Sequence, residues 1–104
     1  MNLHAHSTAS DGQKTPEAIA AWAEKKDIYV AITDHNTVDA HRAVRSSHIL
    51  PGVEVTAGRA GVDVLVYGER RELISWFDAR IAPHLDGMHP HMTPIARDVA
   101  DVVQ

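Results

Sequence analysis

Short apolar runs of β-forming residues alternate with helix-type segments along this chain, and the runs end on imidazoles and carboxylates. His4-Ala5-His6 comes first and Ser10-Asp11-Gly12 follows. Thr33-Asp34-His35 closes the run Ile28 to Thr33, and Gly52-Val53-Glu54 closes the next. Strand–helix alternation implies right-handed βαβ units and a parallel sheet. In such folds the carboxyl ends of the strands share one face, where barrel-type enzymes place their chemistry. Imidazoles and carboxylates are the side chains that hold Zn, Mn or Fe ions. The pattern therefore constrains both the architecture and the location of a site.

The element boundaries follow from local signals. Residues 1 to 4 read as a short strand running into His4 and His6. Thr15-Pro16-Glu17 is a helix start, with a capping Thr, Pro at the first helical position and an acid in the first turn. Ile19, Trp22 and Ala23 follow at helical spacing, and Lys25-Lys26 suit the last turn. Ile28 to Thr33 is a continuous apolar run, as expected of a strand in a buried parallel sheet. Asn36 to Arg45 reads as a second helix, and His48-Ile49-Leu50 with Val53 as a third strand ending near Glu54. Val62 to Tyr67 is a fourth strand, with Val62, Val64 and Val66 on one face and Asp63, Leu65 and Tyr67 on the other. Glu69 to Ile81 is a third helix with Leu73, Phe77 and Ile81 along one stripe. Pro83 to Met92 reads as loop. Thr93-Pro94 repeats the helix-start signal before Ile95, Val99, Val102 and Val103.

Composition narrows the function classes. The 104 residues suffice for one domain, 44% are apolar, and the formal net charge of −4 argues against a broad basic face for duplex nucleic acid. There is no cysteine, so thiolate ligands, Cys nucleophiles and disulfides are excluded. No apolar run approaches membrane-spanning length, and the start shows no signal-peptide pattern. These features suit a cytoplasmic setting. Eight histidines is a high count for this length.

Each piece of the constellation also has a plainer reading. His4 and His6 share one side if they lie on a strand; they read equally as two exposed histidines near a terminus. Ser10-Asp11-Gly12 is a common turn. Asp34 could cap the following helix, and Glu54 could be a solvated loop acid. Order and shared position after apolar runs favour the site.

Together, Leu3-His4-Ala5-His6-Ser7, Ser10-Asp11-Gly12, Pro16-Glu17, Ala31 to Thr37 (Ala-Ile-Thr-Asp-His-Asn-Thr) and Pro51 to Thr56 (Pro-Gly-Val-Glu-Val-Thr) resemble the PHP (polymerase and histidinol phosphatase) family, closely over residues 2 to about 68. The resemblance implies a parallel-stranded, distorted (β/α)7 barrel of which this chain supplies roughly the first half, as a single incomplete domain over residues 1–104. It implies up to three divalent ions (Zn, Mn or Fe) at the strand ends, and hydrolysis of phosphomonoesters or phosphodiesters of nucleotide or oligonucleotide type. His4 and His6 would hold one ion, Glu54 would bridge to a second, and Asp11 and His35 would hold a third. Glu54, His6 and Asp34 are the expected catalytic set, with Asp34 orienting His35 or capping the helix after it. Asp63 stands where the family has a histidine; it is either a further metal ligand or a polar strand residue. Ser7 or Thr8, and Arg59, are candidate phosphate contacts. His84, His89 and His91 read as loop histidines, and His41 and His48 as surface or helix-end residues. The alternative implication is a metal-binding but catalytically silent module. Half a barrel would expose sheet edge, so a homo-oligomer or a missing C-terminal half is expected, with a small phosphoester or nucleotide as substrate.

Overall fold

A computed structural model describes residues 2–57 and 62–85. Its elements are β1 (Asn2–Ala5), α1 (Pro16–Lys26), β2 (Val30–Ile32), α2 (Asp39–Ala43), β3 (Ile49–Ala57), β4 (Val62–Tyr67) and α3 (Arg70–Trp76). A π-helical turn (Phe77–Ile81) and α4 (Ala82–Leu85) continue α3 without a break. The strands form one four-stranded mixed sheet in the order β1-β2-β3-β4.

Local chemistry sets α1. The Thr15 hydroxyl accepts from the Ala18 N–H at 3.1 Å, Pro16 opens the first turn, and Asp27 ends the helix in the left-handed region at φ 53°. Its buried stripe is Pro16, Ile19, Ala20 and Ala23. Trp22, expected on that stripe, is 43% exposed, because the stripe runs through Pro16, Ala20 and Ala23 and Trp22 falls to one side of it. β2 is buried on both faces, pairing in parallel with β1 on one side and β3 on the other.

The fourth strand corrects the all-parallel expectation. β4 runs antiparallel to β3, with Glu54 opposite Leu65 and Thr56 opposite Asp63. Only residues 58–61 link the two strands, and a parallel crossover needs roughly a dozen residues or more. Alternation along β4 holds as expected. Val64 and Val66 pack against the core of Val38, Val53, Val55, Leu73, Phe77 and Ile81, whereas Leu65 and Tyr67 are exposed. A second core joins Ile19, Ala20, Ala23, Val30, Ile32, Ala40 and Ile49 beneath β1 and β2.

Other boundaries also shift. β3 continues past Glu54 to Ala57, because β4 pairs along its whole length. Pro83, His84 and Leu85, expected in a loop, are helical. The second helix spans only Asp39–Ala43, because Asn36 adopts φ 51°, which a helix does not accommodate. His41 proves to be buried rather than superficial. Its Nε2 lies 2.8 Å from the Ile32 carbonyl and 3.0 Å from the Gly52 carbonyl, tying α2 to β2 and β3. The final helix expected from Thr93 onward, His89, His91 and Arg59 lie outside the described residues.

Candidate metal centre

Parallel pairing brings the expected pieces to one pole of the sheet. His4 lies on β1 and His6 just past it, and Thr33, Asp34 and His35 follow β2. The Thr33 N–H donates to the Ala5 carbonyl at 2.7 Å, so the two strand ends stay level. The pairing of β2 with β3 then continues beyond β2. The Glu54 N–H donates to the Asp34 carbonyl at 2.9 Å, and the Asn36 N–H donates to the Glu54 carbonyl at 2.8 Å. Asn36 turns the chain away in its left-handed conformation while its side-chain oxygen accepts from the Thr56 N–H at 3.1 Å.

Glu54 Oε1 is the hub. It lies 2.8 Å from His6 Nε2, 3.5 Å from His4 Nε2 and 3.8 Å from His35 Nδ1. The other His6 nitrogen, Nδ1, lies 2.7 Å from Asp11 Oδ1, and Asp11 Oδ2 lies 3.2 Å from His35 Nε2. Two overlapping donor groups result, His4–His6–Glu54 and His6–Asp11–His35, each with its ligand atoms within 4.8 Å of one another. The imidazoles meet edge to face, His6 against His4 at 4.9 Å and against His35 at 4.4 Å between ring centres.

The donor set fits a cation. A neutral imidazole carries one N–H and one lone pair, yet both His6 nitrogens face carboxylate oxygens. One of those contacts therefore sets lone pair against lone pair unless a proton or a metal ion lies between. Glu54 is largely buried, and a buried carboxylate requires a positive partner. Nitrogen and carboxylate donors suit Zn, Mn or Fe. At Asp11, burial acts to raise the carboxyl; the hydrogen bond with His6 and the charges of His35 and His6 outweigh it and hold the group below its ordinary value.

The loop carrying Asp11 is fixed from below by Asp34. This buried carboxylate accepts from the Ser7 N–H at 2.6 Å, the Ser7 hydroxyl at 2.7 Å and the Ser10 hydroxyl at 2.8 Å. It does not cap α2, whose cap position is Val38 and has no side-chain cap bond. Ser7 is wholly buried and its hydroxyl is spent on Asp34, whereas Thr8 is exposed. Gly12 closes the loop against β1: a Cβ there would fall 2.1 Å from the His6 carbonyl oxygen.

Asp63 belongs to neither donor group. Directly opposed residues share a face, so it projects on the Glu54 side, one pair further toward the rim. Its carboxylate accepts from the Thr56 hydroxyl at 2.8 Å. His48 bonds Asp27 at 2.8 Å and stacks on Tyr29, away from this pole. The Ser10 bond to Asp34 and the left-handed turn at Asn36 support the site in ways that no local sequence signal assigned to them.

No family model matches the chain. It is 39% identical over 64 residues to the 5'-3' exoribonuclease Rnm of Salmonella typhimurium LT2 and, equally, to that of Escherichia coli K12. Each match covers 53% of this chain and 22% of the relative, so the matched region is about a fifth of those proteins. A crystal structure from Bifidobacterium adolescentis, assigned as a metal-dependent phosphoesterase, aligns with a TM-score of 0.49 and 28% identity, over 82% of this chain and 34% of the other. Among the described residues no helix is long and apolar enough to cross a membrane.

Proposed function

We propose that this chain carries the metal-binding part of a PHP-type phosphoesterase that hydrolyses phosphomonoesters or phosphodiesters of nucleotide or oligonucleotide type. The observation that carries the reading is the meeting of His4, His6, Asp11, His35 and Glu54, from four separate segments, with His6 common to two donor groups. The partial likeness to 5'-3' exoribonucleases supports the substrate class. His4, His6 and Glu54 would hold one ion, and Asp11 and His35 with His6 another. Divalent ions there would supply an activated water and a charge clamp on phosphoryl oxygens. Glu54 sets the spacing of the two groups, and Asp34 holds the loop that presents Asp11. Asp63 is a further ligand in this reading only if it leaves Thr56.

The second reading is a metal-binding but silent module that needs a partner or second copy. The exposure of Leu3, Leu65 and Tyr67 on the sheet favours some additional cover. One experiment separates the two: turnover of a generic phosphodiester with and without added Mn²⁺, on the chain and on His6→Ala. Mn²⁺-dependent turnover lost in His6→Ala supports the enzyme. Stoichiometric Mn²⁺ uptake without turnover supports the module, and absence of uptake sinks both.

A further inference from the structure

At the pole opposite the metal centre, a groove of about 830 Å³ opens between the end of α2, the start of β3 and the start of α3. Its apolar lining is Val44, Ile49 and Pro51, with His41, Ser46 and Ser47 beside them. Its rim carries Arg45, Arg70 and Arg71, and its single lining acid is Glu69. Three guanidinium charges against one carboxylate leave a local balance of +2, on a chain whose formal net charge is −4.

The acid offsets only one of the three charges, and its oxygens are held by the backbone. The Glu69 carboxylate accepts from the backbone N–H groups of Arg71 and Glu72, each at 3.0 Å. Arg70 is anchored, with Nε donating to the His41 carbonyl at 2.5 Å and Nη2 facing the Arg42 carbonyl at 3.4 Å. Arg70 therefore presents a positioned guanidinium at little further entropic cost. The Arg45 side chain makes no hydrogen bond or ion pair with any described residue, and the Arg71 guanidinium acts on Glu69 only through charge. A guanidinium has five donors in a planar fork that matches phosphate oxygens. Here such donors share one groove with the apolar side chains of Val44, Ile49 and Pro51, within the size range of small-molecule sites.

We propose that this groove binds a phosphate-bearing small molecule of nucleoside monophosphate size, with the phosphate among Arg45, Arg70 and Arg71 and the apolar part against Val44, Ile49 and Pro51. The site is separate from the metal centre. Ile49 lies in the groove and Glu54 at the centre, five residues along β3, or about 16 Å at roughly 3.3 Å per residue. The proposal stands whether or not the chain is a phosphoesterase.

The test is ¹⁵N chemical-shift titration of the full chain in EDTA, which removes the metal centre from the experiment. The probes are adenosine monophosphate, inorganic phosphate and adenosine. Adenosine monophosphate should shift the amides of Ser46 to Ile49 and of Glu69 to Arg71, inorganic phosphate the same amides more weakly, and adenosine none of them. Arg45→Glu/Arg71→Glu should weaken binding ~10-fold or more, with Arg45→Gln as a milder variant should the double change unfold. His6→Ala should bind as the parent does. The proposal is overturned by no saturation up to ~10 mM monophosphate, by adenosine binding equally well, or by binding that His6→Ala abolishes and the arginine variants leave intact.

Discussion

The two flanks of β3 follow opposite rules. On one side it runs parallel to β2, and on the other antiparallel to β4. Parallel strands deliver their ends to the same pole, so whatever follows β1 and β2 meets whatever β3 carries at that level. His6, His35 and Glu54 converge for that reason. The antiparallel strand enters at this pole and leaves at the other. Its exit delivers Glu69, Arg70 and Arg71 to the far groove, and only its entry, near Asp63, lies beside the metal centre. A charged group after an apolar run is therefore evidence of a shared site only if the strand runs with its neighbours.

The flanks should also separate in experiment, stability on one and metal chemistry on the other. The largest effect is expected at Phe77, which is buried with Val53, Val55 and Ile81 under the antiparallel flank. Phe77→Ala removes a ring and leaves a cavity, costing about 3–5 kcal/mol. Urea titration should show that loss, while the folded fraction binds Mn²⁺ with the affinity of the parent. Should Mn²⁺ affinity fall in step with stability, the two flanks are a single unit and the contrast fails.

Next in size is Asp34, on the parallel flank. Its carboxylate accepts three hydrogen bonds from the loop that presents Asp11. In Asp34→Asn one of the two acceptor oxygens becomes an NH₂, which accepts nothing, so at least one of the three hydrogen bonds as they now run is lost. Groups that orient metal ligands typically contribute 10–100-fold to metal affinity, so about that loss is expected. The loss should fall more heavily on the ion that Asp11 and His35 would share, because His6 alone of the other three, and neither His4 nor Glu54, bonds this loop. Calorimetric titration with Mn²⁺ reads the two events; equal weakening of both would mean that Asp34 supports the fold at large.

Legibility in the sequence divides along the same line. The convergence of the candidate ligands on the parallel flank could be read because strand ends, turn residues and helix caps are local signals. Thr15, Pro16 and Asp11-Gly12 announce themselves within a few residues. The reversal of β4 was also written locally, in the absence of any helix between the third strand and Val62, but strand–helix alternation elsewhere in the chain masked it. What Asp34 does was not legible. Ser7 and Ser10 lie 27 and 24 residues away in sequence, and only the packed fold makes them its donors. The same holds for His41, whose ring is buried by β2 and β3 rather than by anything in α2. Asn36 reads as helix by its neighbours and is a left-handed turn by its tertiary pairing.

The smallest expected effect sharpens the comparison through pH. Glu69 opens α3, and its hydrogen bonds with the Arg71 and Glu72 N–H groups hold its carboxyl below the ordinary 4.5. A carboxyl depressed by folding stabilises the native state above its unfolded value and loses that contribution as pH falls through the folded value. Glu69→Gln keeps one acceptor and removes the titration. The melting temperature of the parent should therefore exceed that of Glu69→Gln near neutrality, and the gap should close as pH drops from about 5 toward about 3. Asp11 is also depressed, on the other flank. It titrates in both proteins and cancels from the gap, although it adds to the acid sensitivity of each. A gap that stays constant across this window would mean that the Glu69 charge contributes nothing to α3, and that acid acts on the molecule through the metal-centre flank.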